Sequence, residues 1–217
     1  MAADVPKQYL NLDGITVLEH TLNTLLACTA LEGILLVLST DDRYWAGIQP
    51  RFAGTRLQCV RGGEQRCHSV LNAIKHLAAH ADTRDWVLVH DAARPCLRVE
   101  DITGLIIELA ADAHGGLLGV PVADTMKCAD AEGRITETVD RQGLWHAQTP
   151  QMFRLGMLHA ALEDALANDI MVTDEAAAME LAGYRPRLVQ GPGDNIKITV
   201  PSDLALAEYY LRQRQQP

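Results

Sequence analysis

The sequence lacks a long apolar run, a paired cysteine motif and an excess of positive charge. No stretch of its 217 residues approaches the roughly 18 consecutive apolar residues that a membrane-spanning helix requires. The five cysteines are scattered and form no Cys-x-x-Cys pair. This spacing argues against a disulfide framework or a structural zinc site, and it predicts a cytoplasmic location. We also predict no signal peptide, because no apolar segment follows the N-terminus.

Basic residues are outnumbered, and this limits the partners that we expect. The formal net charge is −9, and such a surface repels nucleic acid and anionic membranes. An anionic substrate would then have to be bound by a few basic groups and backbone amides in loops. Lysine is sparse, and Lys7, Lys127 and Lys197 stand out. Each alone also fits a solvated surface charge, although Lys197 lies in an apolar segment.

The remaining composition is that of an ordinary globular protein, and its length predicts a single domain over residues 1–217. Strand-like apolar runs alternate with helix-like stripes along the first 120 residues. The predicted strands are 34–38, 57–60, 86–89 and 116–120, and the predicted helices are 17–29, 64–81 and 99–113. This order predicts a Rossmann-like α/β fold, with a mostly parallel twisted sheet and helices on both faces.

The helical pattern disappears between residues 121 and 153. Residues 134–139 alternate like a hairpin strand after a turn at 131–133, and 144–148 can pair nearby. We predict that about 121–153 is an inserted, protruding β-arm for dimerisation. Beyond it we predict helices at 155–167 and 173–181, strands at 188–189 and 196–199, and a final helix that Pro201 opens; Thr173 is the expected N-cap of the second helix.

Ligands of open α/β sheets bind beyond the carboxyl ends of the strands. The predicted strand 86–89 is followed by His90, Asp91, Ala92, Ala93 and Arg94. Small residues let a ligand approach the backbone, the carboxylate can bind a metal or a hydroxyl, and the guanidinium can bind a phosphate. A His-Asp pair also occurs in metal-dependent phosphohydrolases, but those carry it on helices, so we do not favour that class.

A second candidate segment follows the strand 57–60. Gly62 and Gly63 form a tight turn at the start of a helix, where exposed amides favour an anion or a base edge. The same glycines can form a turn with no ligand, and Ser69 can contact either a ligand or a helix neighbour. Cys96 is either a reactive thiol or, as we favour, a small buried side chain.

Taken together, these segments resemble one family, the 2-C-methyl-D-erythritol 4-phosphate cytidylyltransferases of the non-mevalonate isoprenoid pathway. The resemblance rests on an ordered set of motifs that spans nearly the whole chain. They are 6–10 (PKQYL), 62–70 (GGEQRCHSV), 89–95 (VHDAARP), 124–127 (DTMK), 138–141 (TVDR), 148–151 (QTPQ), 173–176 (TDEA) and 194–197 (DNIK). The last of these and TVDR argue against another nucleotidyltransferase that acts on a sugar phosphate or a pterin cofactor, which is the main alternative.

The resemblance implies that the phosphate of methylerythritol phosphate attacks the α-phosphorus of CTP in the presence of Mg²⁺, and that pyrophosphate leaves. It implies catalytic roles for Lys7, Arg141 and Lys197. The CTP–Mg²⁺ group would contact Gly62, Gly63, Ser69, His90, Asp91, Ala92 and Arg94, with Asp91 as the metal ligand, and methylerythritol phosphate would contact Thr125, Arg141, Thr149 and Lys197. It also implies a homodimer in which Thr125 or Arg141 serves the neighbouring subunit's site.

One departure from the family accompanies this match. The family opens with a strand and a glycine-rich loop of the form AAGxGxRM, whereas this sequence starts directly before Pro6-Lys7. Without that strand we expect unpaired backbone groups and a hole in the core. We expect either that the segment belongs to the natural protein or that the chain is a truncated form that binds a nucleotide without turning it over.

Overall fold

The computed structural model describes residues 5–215, which contain ten strands and seven α-helices. The strands are β1 (Asn11–Leu12), β2 (Ile15–Thr16), β3 (Ile34–Leu38), β4 (Leu57–Arg61), β5 (Trp86–Val89), β6 (Gly116–Pro121), β7 (Met126–Ala129), β8 (Ile135–Val139), β9 (Trp145–Arg154) and β10 (Arg187–Gln190). The α-helices are α1 (Val17–Ala27), α2 (Trp45–Ile48), α3 (Arg66–Ala78), α4 (Val99–Leu109), α5 (Leu155–Ala167), α6 (Glu175–Leu181) and α7 (Pro201–Gln215). None of the described helices is both long enough and apolar enough to cross a bilayer.

The central sheet has the order β10-β6-β9-β5. Strand β10 runs parallel to β6, whereas β9 runs antiparallel to both β6 and β5. Strands β3 and β4 form a separate parallel pair, so β3 and β5 are both edge strands within the described residues. The predicted α/β class is confirmed, and β9 is the one strand of the central sheet that runs opposite to the other three.

Helices cover both faces of the central sheet because neighbouring residues of its strands point to opposite sides. Leu117 and Phe153 belong to the hydrophobic cluster that α3, α5 and α6 build on one face. Leu118 and Met152 are the next residues along the same strands, and they pack against α4 on the other face. Both strands are therefore buried on both sides, which the apolar run of β6 predicts. The sequence of β9 contains no such run.

The predicted arm divides into two parts with different roles. Strands β7 and β8 pair as an antiparallel hairpin whose residues are almost all exposed. Residues 145–154, which we placed mostly in the arm, instead form β9 and lie between β6 and β5. Phe153 and Met152 explain this position, since an arm offers no core in which such side chains could be buried.

Two further predictions are wrong, one of a helix N-cap and one of a strand. Helix α6 has Asp174 rather than Thr173 as its N-cap, because the Asp174 carboxylate accepts a hydrogen bond from the Ala177 amide at 2.9 Å. Residues 196–199 are not a strand, although the Ile198 amide donates to the Ala93 carbonyl at 2.9 Å. That bond ties the segment to the loop after β5 and does not extend into a ladder.

Helix α4 offers a matched test of the core. Ile102 is fully buried under the sheet, whereas Ile107 is 71% exposed on the same helix. We predict that Ile102→Ala lowers the free energy of unfolding by about 2–5 kcal/mol, because it removes buried contacts and leaves a cavity. Ile107→Ala should change it by less than about 0.5 kcal/mol. Urea unfolding measures both, and similar losses in the two variants would contradict this packing.

Candidate active site

Three cationic side chains converge on one carboxylate just beyond the carboxyl end of β5. The Lys197 Nζ lies 3.0 Å from Asp91 Oδ2, and the Arg94 Nε lies 3.6 Å from the same oxygen. The Arg66 Nε lies 3.4 Å from Asp91 Oδ1. We call these four residues the Asp91 cluster. The carboxylate is only 12% exposed, so it lies in a poorly solvated place where these charges interact strongly.

The fold brings these side chains together from three distant parts of the chain. Arg66 is the first residue of α3, Asp91 and Arg94 lie in the loop after β5, and Lys197 lies in the irregular segment between β10 and α7. Burial alone would raise the pKa of Asp91. The hydrogen bond from Lys197 and the charges of Arg66 and Arg94 outweigh burial and hold this pKa below its ordinary value.

Lys7 belongs to the same electrostatic environment. Burial lowers the pKa of its ammonium group, the positive charges of Lys197 and Arg94 lower it further, and the charge of Asp91 acts in the opposite direction. Lys7 opens a short 3₁₀ helix, Lys7–Tyr9. The structure therefore brings the predicted residues Asp91, Arg94 and Lys197 together, and Lys7 lies close enough for their charges to affect its pKa.

Thr149 connects this site to the central sheet. Its hydroxyl oxygen accepts a hydrogen bond from the Asp91 amide at 3.1 Å and lies 2.9 Å from His90 Nδ1. The other ring nitrogen, Nε2, lies 3.4 Å from the Arg94 carbonyl, which can only accept. In the neutral ring the proton is therefore on Nε2, and the Thr149 hydroxyl donates to Nδ1.

The role of His90 follows from its surroundings. Burial lowers the pKa of His90 to about 4, so the imidazole is neutral near pH 7 and adds no positive charge for binding a phosphate. Its two hydrogen bonds instead fix the backbone on both sides of Asp91. Ala92 adds to this fixation, since its carbonyl accepts from the Thr21 hydroxyl of α1 at 3.1 Å.

Arg94 connects two loops of the site. Its guanidinium faces Asp91, and it also donates to the Asn195 carbonyl at 2.7 Å. Arg94 is 9% exposed and Asn195 is fully buried. Arg94 therefore orients two loops of the site in addition to contributing positive charge.

The two glycines after β4 make a close turn. The Gly62 amide donates to the Leu38 carbonyl at 2.7 Å, and the Gly63 amide lies 3.0 Å from the Ser69 hydroxyl oxygen. A Cβ atom on Gly62 would lie 2.9 Å from that hydroxyl, and one on Gly63 would lie 2.5 Å from the His68 Cβ. Both positions thus require glycine, and Ser69 holds the turn rather than facing only a helix neighbour.

A cavity of about 170 Å³ opens beside the Asp91 cluster. Its lining contains side chains of opposite charge together with amides and hydroxyls, which can hydrogen-bond a polar or charged ligand. The lining residues are Arg66, Asp91, Arg94, Ala147, Gln148, Thr149, Gln151, Thr173, Asp174 and Lys197. Gly62, Gly63 and Ser69 are not among them, and nor are Thr125 and Arg141.

Several cavity residues belong to the recognised motifs but had no role assigned from the sequence. Arg66 forms a bidentate pair with Glu175, with distances of 2.7 and 3.0 Å. The Gln151 side chain donates to Asp174 Oδ2 at 2.9 Å and accepts from the Ala176 amide at 2.8 Å. Gln151 is almost fully buried, and a buried amide needs such partners. The polar sequence around it gave no signal of this burial.

Two predicted site residues lie elsewhere. Thr125 and Arg141 are exposed beside the β7–β8 hairpin, and the Arg141 guanidinium donates to the Ala123 carbonyl. Within residues 5–215, no hydrogen bond or ion pair that we identify joins either of them to the Asp91 cluster. The same residues 5–215 contain no group of three or more histidine, cysteine or acidic side chains that could hold a metal ion.

Comparison with known proteins gives this geometry a context. A family model described as IspD, 2-C-methyl-D-erythritol 4-phosphate cytidylyltransferase, matches residues 1–213. The chain belongs to this family. A cytidylyltransferase of this name from Pseudomonas syringae pv. syringae is 55% identical over 216 residues, which cover 99% of this chain and 89% of that relative.

Solved structures of the cytidylyltransferase family have the same fold. A crystal structure of a 4-diphosphocytidyl-2C-methyl-D-erythritol synthase matches with a TM-score of 0.86 and 41% identity, covering 95% of both chains. The Francisella tularensis cytidylyltransferase matches with a TM-score of 0.83 and 33% identity, covering 95% of this chain and 94% of the other. The resemblance drawn from the ordered motifs is confirmed.

The low pKa of His90 predicts a specific pH dependence of stability. Unfolding restores an ordinary histidine pKa near 6.5, whereas the folded value is about 4, so the unfolded chain binds an extra proton between these values. The contribution of His90 is therefore fully present above pH 6.5 and is lost as the pH falls towards 4.

We predict that His90→Asn flattens this part of the profile of unfolding free energy against pH, because asparagine does not titrate. The measurement is urea unfolding at several pH values between 4 and 7. His76→Gln, at an exposed histidine of α3, is the control. An equal slope in the His90 variant and the unmodified protein would contradict the assignment.

Proposed function

We propose that this protein transfers CMP from CTP to 2-C-methyl-D-erythritol 4-phosphate and releases pyrophosphate, in non-mevalonate isoprenoid biosynthesis. The observation that carries the proposal is the gathering of Lys7, Arg66, Arg94 and Lys197 around Asp91, in a chain whose net charge is −9. The family that the chain belongs to is named for this transfer. Phosphoryl-type transfer depends mainly on positioning and charge neutralisation, which such a cluster supplies.

We assign each group of site residues to one part of the two substrates according to its position. Lys7 stabilises negative charge on the transferring phosphorus. Lys197 and Thr149 line the cavity and bind methylerythritol phosphate. The Gly62–Gly63 turn with Ser69 and the His90–Ala92 segment hold the cytidine side, where rigid backbone amides can meet a base edge. Each group can act without forming a covalent intermediate, because the substrate phosphate is itself the nucleophile.

Magnesium would be held by Asp91 together with oxygens of the substrates. Mg²⁺ is commonly bound through one or two carboxylates plus substrate phosphates, so a single protein carboxylate fits the ion. Lys197 and Arg94 both contact Oδ2 of Asp91, whereas Oδ1 contacts Arg66 at 3.4 Å. Bound through the Asp91 carboxylate, the ion would supply further charge neutralisation.

The exposed hairpin supports a homodimer. Ile135 of β8 is 66% exposed and Met126 of β7 is 37% exposed, although both are apolar. Through this contact, Thr125 and Arg141 would reach the partner's site, which explains why they do not reach their own. Sedimentation velocity on the protein and on Ile135→Lys tests this arrangement, and a monomeric unmodified protein would refute it.

A reducing compartment fits the cysteines. All five are free, two of them exposed and three buried, and Cys96 is fully buried beside α7, so we assign it the packing role. We therefore propose a cytoplasmic location. Cell fractionation tests it, and recovery of the protein outside the cytoplasmic fraction would contradict it.

The direct test of the proposed function follows pyrophosphate release from purified protein with CTP, Mg²⁺ and methylerythritol phosphate. We expect turnover that requires all three components and that EDTA abolishes. Turnover with another sugar phosphate, and none with methylerythritol phosphate, would show that the assigned acceptor substrate is wrong. Binding of CTP with no turnover on any acceptor would instead identify a nucleotide-binding protein without catalytic activity.

Lys197 provides the matching substitution. We predict that Lys197→Ala raises KM for methylerythritol phosphate roughly ten- to hundredfold, because it removes a charged hydrogen bond to the phosphate. KM for CTP should change little. Lys75→Ala is the control, since Lys75 pairs with Glu163 on the helical surface. A loss confined to CTP would show that this division of the site is wrong.

A further inference from the structure

The segment that carries Lys197 has no regular secondary structure, and it is held by contacts at several points. We call residues 191–200 the Lys197 loop. The Asn195 side chain donates to the Thr149 carbonyl at 2.9 Å, and the Ile198 amide donates to the Ala93 carbonyl at 2.9 Å. Asn195 and Ile198 are both fully buried. These bonds fix the backbone on the two sides of Lys197.

A third attachment comes from a carboxylate three residues before Lys197. Asp194 Oδ2 accepts from Arg98, which directly precedes α4, and from Arg214 in the last turn of α7, the latter at 2.8 Å. The side chain of Asp194 is 19% exposed, and those of Arg98 and Arg214 are 39% and 23% exposed. One carboxylate thus joins the Lys197 loop to two helices.

We propose that Arg98 and Arg214 are positioning residues that place Lys197 for the phosphate of the acceptor substrate. This inference rests on the proposed function, because it assigns these arginines to the binding of methylerythritol phosphate. Neither arginine lines the cavity beside Asp91. They act at a distance, through Asp194 and the rigid backbone that connects it with Asn195 and Lys197.

The ion pairs of Asp194 with Arg98 and Arg214 are better suited to orienting the Lys197 loop than to stabilising the fold. Partly exposed ion pairs add little to folding free energy, since solvent screens the attraction and the long side chains lose entropy. Two guanidinium groups on one carboxylate also repel each other. Their shared effect is to keep Asp194 between α4 and α7, and a small displacement of Lys197 would weaken its contact with a phosphate.

The test compares Arg98→Gln/Arg214→Gln with a matched control, Arg187→Gln/Arg212→Gln. The control removes two arginines that pair with Glu108, Asp13 and Glu208, and none of these lies in the Lys197 loop. We expect the first variant to raise KM for methylerythritol phosphate at least tenfold, with KM for CTP within about twofold. Each single substitution should have a smaller effect, because Asp194 keeps the other arginine.

Two further measurements separate positioning from general damage. Arg98→Lys/Arg214→Lys should recover most of the affinity, since the charges remain. Hydrogen exchange of the Ile198 amide should accelerate in the glutamine variant and remain unchanged in the control. If the glutamine variant fails to fold, Asp194→Asn is tested in its place, with the same expected split between the two KM values.

The outcomes are distinguishable. Equal changes in both KM values, no change in either, or unchanged exchange at Ile198 would overturn the inference. Unmodified protein with no turnover on methylerythritol phosphate would instead overturn the proposed function, and accelerated exchange in the glutamine variant would still show that the two arginines hold the loop.

Discussion

The Asp91 carboxylate is the constraint on which the candidate site depends. It attracts Lys197, Arg66 and Arg94, which come from three separate parts of the chain, within 3.6 Å of its oxygens. Without this negative charge, the three cations would repel one another in a poorly solvated place. Asp91 itself is held by Thr149, whose hydroxyl fixes the amide at the end of β5. The position of one loop residue therefore determines where positive charge is concentrated.

This arrangement explains how an acidic protein can act on anionic substrates. The chain as a whole carries an excess of negative charge, whereas Lys7, Arg66, Arg94 and Lys197 are gathered near Asp91, where low solvation strengthens the effect of each charge. Further ion pairs organise the surroundings without adding positive charge to the cavity. Glu175 holds Arg66, and Asp194 holds Arg98 and Arg214. When a substrate binds, its phosphates would take over the ion pairs that Lys197, Arg66 and Arg94 otherwise form with Asp91.

The sequence was sufficient to predict features that depend on a local pattern of residues. The apolar runs predicted strands β3, β5 and β6. The family resemblance assigned Lys7, Asp91 and Lys197 to the binding of the substrates, and the structure brings these three residues near one another. The sequence was not sufficient where tertiary packing decides. The alternation of residues 121–153 did not reveal that β9 lies between β6 and β5, because antiparallel insertion depends on partners distant in the chain. The roles of Arg66, Gln151 and Asp194 were also missed, because each role depends on hydrogen-bond or ion-pair partners that are distant in the sequence.

We infer that Asp91 and Lys197 act as one unit. The most direct measurement is a double-mutant cycle of kcat/KM for methylerythritol phosphate, using Asp91→Asn, Lys197→Ala and the combined variant. We predict that the effects of the two substitutions on kcat/KM are strongly non-additive, with a coupling of about 1 kcal/mol or more. Either substitution alone already breaks the ion pair, so the second has little further effect. Additivity to within about 0.5 kcal/mol would contradict this inference, since the two residues would then act independently.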